Sequence, residues 1–269
     1  MLKDITLGQY FPGESFIHRL DPRTKILIML AYVVIVFLIQ NFWGYLMLTA
    51  FLAVCVTVSK IPPKFLIKGL KPIMIFIVFT GLFNLFLTSG ETVWHWWIFT
   101  ITKEGIRFAA FMVLRLIFLI LGTSLLTLTT SPIALTDGIE HLLAPFKKIH
   151  IPAHEIAMMM TIALRFIPTL LDETDKIMKA QSARGASIDS GNILSRAKAM
   201  VPILIPLFIS AFRRADELAT AMECRCYRGG ENRTRLYELK YTSVDILGWM
   251  FTLMLLGAVI TLNITLGKF

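Results

Sequence analysis

The sequence predicts an all-α integral membrane protein with about five transmembrane helices and a cytoplasmic module of long amphipathic helices. Three observations lead to this prediction. The 269 residues are 56% hydrophobic with a mean hydropathy of +0.69, which is too apolar for the single core of a soluble domain. Five apolar stretches approach the roughly 17 to 25 residues that a helix needs to span a bilayer. Beyond residue 150, the pattern changes to apolar residues at three- and four-residue steps among charged ones.

The five apolar stretches are residues 26–39, 42–58, 73–88, 108–130 and 244–266. The first two are short and are separated by the polar pair Gln40 and Asn41. One continuous helix over both would be about 50 Å long, well beyond a hydrocarbon core of about 30 Å. We therefore expect a hairpin of two helices here.

The orientation is predicted from the distribution of lysine and arginine. Positive charges are concentrated before the first stretch and after the second, whereas the loops at the opposite ends carry almost none. Because such charges favour the cytoplasm, the N-terminus is expected inside and the C-terminus outside the cell membrane. This divides the chain into an N-terminal membrane domain at 1–130, a cytoplasmic domain at 131–242 and a C-terminal transmembrane helix at 243–269.

Several classes of site are disfavoured by what the sequence lacks. The net charge of +9 mainly reflects topology, since residues 131–240 hold 15 lysines and arginines against 12 acidic residues, and no basic stripe predicts nucleic-acid binding. His154 and Glu155 begin a zinc-protease pattern, but Met158 occupies the second histidine position. Cys224 and Cys226 have no second pair to complete a metal site. No phosphate-binding loop is present, so we predict no catalytic residue, cofactor or metal.

Two long amphipathic helices are predicted in the cytoplasmic domain. The first runs from about residue 151 to Arg184 with a bend at Pro168, and the second runs over about 193–227 and is ended by Gly229 and Gly230. Charged residues interrupt the first, and the apolar centre of the second, 199–212, is short. Whether 199–212 lies along the membrane surface or inside the membrane stays open.

The two predicted helices end in the same residue pattern. Arg184 and Arg225, 41 residues apart, are each flanked by small residues, namely Ala183 with Gly185 and Cys224 with Cys226. Matched residues precede them at equal offsets: Asp175, Ile177 and Ala180 in the first helix, and Asp216, Leu218 and Ala221 in the second. Small flanks allow another surface to approach closely, while a guanidinium can pair bidentately with a carboxylate. The alternative is that cations simply favour helix C-termini.

Arg115 is an ionisable residue inside the fourth apolar stretch, about 10 Å from its start. A charge at that depth indicates function. It is equally compatible with a side chain that extends toward the interface beside Arg107. Both interpretations stay open.

The arginine segments, residues 181–186 and 221–229, resemble the paired Ala-Arg-Gly-type motifs of the transmembrane T component of energy-coupling factor transporters, which are prokaryotic importers of vitamins and metals. The resemblance covers nearly the whole chain, since it extends to 129–132 and to an N-terminal pattern: Tyr10, Pro12, Ser15, His18, Leu20, Asp21, Pro22, Arg23 and Lys25. The second motif departs from Ala-Arg-Gly at both flanks.

The resemblance implies a complex with two ATP-binding-cassette (ABC) ATPases and a membrane S component that captures the substrate. It implies that the two long helices cross beneath the bilayer and that Arg184 and Arg225 each dock one ATPase. The chain itself would be no enzyme, and the S component would determine which vitamin or metal is imported.

The alternative functions are those of a lipid-modifying membrane enzyme and of a self-sufficient secondary transporter. A lipid-modifying membrane enzyme would need converging polar catalytic groups, which the histidines and carboxylates do not provide. A self-sufficient secondary transporter would need a polar path, for which Arg115 and Asn84 are nearly the only candidates.

Overall fold

The computed structural model describes residues 10–96, 99–149, 152–185, 192–230 and 238–265. These residues are almost entirely helical and belong to two compact units. Of the described residues, the larger unit contains 10–138 and 238–265, and the smaller lies within Ile139–Tyr237. The all-α fold class predicted from the sequence is confirmed.

The larger unit is a bundle of apolar helices. Its helices are α1 (Pro22–Leu38), α2 (Phe42–Ser59), α3 (Pro63–Leu70), α4 (Met74–Leu87), α5 (Lys103–Thr129), the first half of α6 (Pro132–Leu143) and α9 (Ser243–Thr265). The expected hairpin at Gln40 and Asn41 is confirmed, because α1 ends and α2 begins around these residues. A 3₁₀ turn at Lys71–Ile73 joins α3 to α4, where Pro72 lacks the N–H of a regular helix.

The core of the larger unit lies between α1, α2, α5 and α9. Its fully buried residues include Ile35, Leu48 and Val259, and the Tyr32 hydroxyl donates a hydrogen bond of 2.9 Å to the Phe118 carbonyl. The ring of Tyr32 lies against Gly122 of α5, where a Cβ atom would overlap it. The absence of a side chain at this glycine therefore sets how closely α1 approaches α5.

Polar contacts connect the start of α1 to the start of α9. The Asp245 carboxylate accepts hydrogen bonds from the backbone N–H of Asp21 at 2.8 Å and of Thr242 at 2.7 Å. Arg23 donates to the Asp21 carboxylate and to the Leu239 carbonyl, both at 2.9 Å. These buried helix starts thereby have partners for backbone groups that the helices themselves leave unpaired.

A short β-hairpin precedes α5. Strands β1 (Thr92–Trp96) and β2 (Phe99–Thr102) pair antiparallel, and the Thr102 hydroxyl then caps α5 by accepting from the Gly105 N–H at 3.0 Å. The sequence interpretation treated this region only as a loop. The hairpin was missed because strands of only five and four residues give little periodic signal.

The smaller unit contains the second half of α6, a 3₁₀ segment (Ala144–Ile149) and the long helices α7 (Ala153–Ala183) and α8 (Ile193–Cys224). Both helices were predicted. However, α8 ends at Cys224, before Gly229 and Gly230, so the expectation that these glycines end it is wrong. The chain leaves the helix earlier because Cys226 adopts the left-handed conformation, with a φ of 57°.

Within the described part of the chain, five helical segments are by length and composition apolar enough to cross a membrane: Phe42–Ser59, Pro63–Leu87, Lys103–Thr129, Ala153–Ala183 and Ser243–Thr265. The number agrees with the sequence prediction, but the set differs. It includes α7, which was predicted to be cytoplasmic, and omits α1, which has 17 residues and is at the lower limit for a span. The charged residues of α7 lie mainly in its second half, which leaves its first half strongly apolar.

Candidate functional site

The two long helices of the smaller unit pack against each other in antiparallel order. Glu173 of α7 accepts a hydrogen bond of 2.6 Å from the Ser210 hydroxyl and forms an ion pair of 3.2 Å with Arg214 on α8. Eight residues further along α7, the Gln181 side chain donates to the Pro202 carbonyl at 3.2 Å. The two helices therefore run in opposite directions. The sequence reasoning identified neither Glu173 nor Ser210, because helix register is a tertiary property.

Both helices end with the arginine as the C-cap residue. The Gly185 N–H donates to the Ser182 carbonyl at 3.0 Å, and at the equivalent position of α8 the Cys226 N–H donates to the Glu223 carbonyl at 2.8 Å. In α8, the Tyr227 N–H also donates to the Met222 carbonyl at 3.1 Å, which completes a Schellman motif. The sequence repeat is thus also a repeat of backbone geometry.

The residue after each arginine has a positive φ, 86° at Gly185 and 57° at Cys226. Glycine adopts this conformation at little cost, whereas other L-residues pay roughly 1 to 2 kcal/mol. The departure of the second motif from Ala-Arg-Gly therefore leaves the backbone shape unchanged. The helix end of α8 thus forms the same turn without a glycine.

Arg184 and Arg225 are both exposed, as are the flanking residues Ala183, Gly185, Cys224 and Cys226. Among the residues that the structure describes, neither arginine forms an ion pair. The structure does not bring the two together. Since Gln181 lies opposite Pro202, Arg184 is level with about Ala199, and Arg225 is roughly 39 Å further along α8.

A hydrogen-bonded chain holds the end of α8 against the start of α7. The Tyr227 hydroxyl lies 3.2 Å from Nε2 of His154, and Nδ1 of the same ring lies 2.9 Å from the Glu140 carboxylate. The sequence indicates no role for His154 beyond half of a zinc-binding pattern. Across the described residues, no cluster of three or more potential metal ligands exists. The histidine instead positions the segment that follows Arg225.

The predicted apolar face of α8 stays largely exposed in the chain by itself. Ile205, Phe208 and Phe212 are 55%, 60% and 68% exposed, while Ile203 is buried. Contiguous exposed apolar side chains of this size mark contact with another protein or with a membrane.

The remaining predicted site residue, Arg115, lies on α5 in the larger unit. Arg184 and Arg225 belong to the smaller unit, where they form the C-terminal ends of α7 and α8 (the arginine ends). Its guanidinium carbon is 5.2 Å from the centre of the Phe37 ring, and its Nε atom is buried without a hydrogen-bond partner. It lines a cavity together with Arg107.

The fold defines a multi-pass α-helical membrane protein, and the exposed arginine ends carry paired Ala-Arg-Gly-type motifs. The sequence profile of the family described as "CbiQ: Cobalt transport protein" matches residues 13–236. The chain belongs to this family, as the resemblance predicted.

Relatives with the name "Energy-coupling factor transporter transmembrane protein EcfT" are similar along almost their whole length. The protein of Ruminiclostridium cellulolyticum is 62% identical over 247 residues, which is 92% of each chain. That of Clostridium kluyveri is 58% identical over 270 residues and covers 100% of both chains. That of Bacillus subtilis is 50% identical over 246 residues, or 91% of this chain and 93% of the relative. The chain is thus a membrane transport component of the energy-coupling factor type, not an enzyme.

Proposed function

We propose that this chain is the coupling subunit of an importer, linking two ABC ATPases to an S component that captures a vitamin or metal ion. The observation that carries the proposal is the pair of matched helix ends, each with an exposed arginine, at opposite ends of one antiparallel helix pair. Two equivalent ends suit two copies of the same kind of partner.

The chemistry of each end suits docking into an acidic groove. The arginine is the C-cap residue of its helix and is exposed, with a small residue on each side. A guanidinium in this position can form two parallel hydrogen bonds to one carboxylate. The separation of roughly 39 Å exceeds the reach of any side chain, so the two ends engage separate surfaces.

The contacts between α7 and α8 support transmission of movement between these surfaces. Glu173, Ser210 and Arg214 join the helices near their middle, and Tyr227 joins the end of α8 to His154 near the start of α7. ATP-driven closure of the two ATPases would therefore move the helices as a pair. In this proposal, that movement reorients the S component.

The proposal places the smaller unit in the cytoplasm, the N-terminus inside and the C-terminus outside the cell membrane, on the basis of the lysine and arginine distribution. Cysteine labelling with an impermeant reagent in intact cells tests this topology. A cysteine at Ser89 should be labelled from outside, and one at Asn192 should not. Labelling at Asn192 would contradict the proposed orientation and favour α7 as a membrane span.

Arginine substitutions test the docking function. Arg184→Ala and Arg225→Ala should each weaken ATPase binding by about 2 to 5 kcal/mol, because each removes one partner of a charge pair that becomes desolvated on assembly. The measurements are pull-down of the ATPases and substrate uptake in vesicles at matched expression. Arg→Lys should restore binding only partly, since an ammonium lacks the planar fork.

The matched control is Arg165→Ala, which removes an exposed arginine on α7 outside the repeated ends and should change binding little. Normal assembly and uptake in the Arg184→Ala, Arg225→Ala double variant would leave only the explanation that cations favour helix C-termini. Mass spectrometry of proteins that co-purify with the wild-type chain would identify the S component and hence the substrate.

A further inference from the structure

An amphiphilic cavity of about 340 Å³ lies beside the first half of α5 in the larger unit. Its polar lining comes from Gln40, Glu104, Arg107 and Arg115, and aromatic side chains such as Phe111 form the apolar part. Polar and apolar groups thus line the same space within a bundle of apolar helices.

Arg115 lines this cavity and carries a charge that is partly buried. Its Nε atom is buried and has no partner, although the Tyr45 hydroxyl and the Phe37 ring lie beside the guanidinium. A buried donor without a partner is costly, and more so when the group is charged. An anionic group in the cavity would pair with the guanidinium and offset the cost of burying its charge.

The two arginines lie at different depths along α5. The helix has 27 residues and is about 40 Å long, which matches a bilayer with its headgroup layers. Arg107 is about 6 Å from the helix start, at headgroup level, whereas Arg115 is about 18 Å from it. The cavity therefore leads from the headgroup layer toward the hydrocarbon.

The charges of the lining favour a negatively charged occupant. Two guanidinium groups face one carboxylate, that of Glu104, which already accepts a hydrogen bond of 2.8 Å from the Glu91 N–H. An occupant with an anionic head and an apolar tail would match both the arginines and the aromatic lining.

We propose that this cavity binds an anionic phospholipid, with its phosphate at Arg107 and Arg115 and its apolar part along Phe111. This binding would be independent of the arginine ends of α7 and α8. It would anchor α5 to the lipid at one membrane surface.

Native mass spectrometry of the purified full-length chain tests the proposal, with phosphatidylglycerol, phosphatidylcholine and inorganic phosphate as probes. Phosphatidylglycerol should bind about tenfold or more tightly than phosphatidylcholine, and Arg115→Gln should remove this preference. Arg115→Lys, which keeps the charge, should retain most of it. The matched control is Lys103→Gln, which removes an exposed charge at the same end of α5 without touching the cavity lining.

Equal binding of phosphatidylglycerol by wild type and Arg115→Gln would overturn the proposal. If Arg115→Gln does not fold, equal affinity of the wild type for the two lipids would overturn it as well. Full displacement of phosphatidylglycerol by inorganic phosphate would indicate a site for free phosphate instead. Unchanged lipid binding with loss of a membrane partner from Arg115→Gln would assign the cavity to an acidic side chain of that partner.

Discussion

The positive φ at Gly185 allows a direct test of why small residues flank the arginines that we propose for docking. Sequence reasoning attributes the small flanks to close approach of a partner, whereas the structure attributes Gly185 to its left-handed backbone, with a φ of 86°. The substitutions Gly185→Ala and Gly185→Asn separate the two explanations. Alanine is smaller, but asparagine tolerates the left-handed conformation better.

The size of the effect follows from the surroundings of Gly185. A Cβ atom there would meet no atom within 4 Å, so no clash adds to the backbone cost. Alanine should therefore cost roughly 1 to 2 kcal/mol, which corresponds to about 5- to 30-fold weaker binding if docking requires this helix end. Asparagine should cost less than alanine.

The assay is the affinity of an ATPase for the chain reconstituted in nanodiscs, measured for both variants and for Cys226→Gly. Cys226→Gly removes the cost at the equivalent position of α8 and should bind at least as tightly as wild type. Weaker binding by Gly185→Asn than by Gly185→Ala would refute the backbone explanation and support close approach.

Two further predictions concern stability and are measured by thermal unfolding of the purified chain. Tyr227→Phe removes the hydroxyl that contacts His154 and should cost about 1 kcal/mol, whereas an unchanged midpoint would show that this contact does not stabilise the end of α8. Gly122→Leu should cost about 1 to 3 kcal/mol or more, because its side chain would overlap the Tyr32 ring. The control is Gly257→Leu, where nothing lies within 4 Å, and equal losses in both would contradict the packing argument.

The membrane class, the α1–α2 hairpin and the two long helices could be predicted from sequence because each depends on local hydropathy and periodicity. A run of apolar residues needs a lipid or protein environment wherever it lies in the fold. The arginine ends could be recognised for the same reason, since their residues are contiguous along the chain. The end of α8 was misplaced because glycines suggested a later C-cap, whereas Cys226 turns the chain three residues before Gly229.

The antiparallel register of α7 and α8, and with it the separation of Arg184 from Arg225, was decided by tertiary contacts such as that of Glu173 with Ser210. The link from Tyr227 to His154 joins residues 73 positions apart, and the approach of Tyr32 to Gly122 joins two different helices. The sequence by itself determined which segments form the long helices, but not the residue at which α8 ends. Which faces meet was decided only by the tertiary structure, because side-chain packing and hydrogen-bond geometry depend on groups distant along the chain.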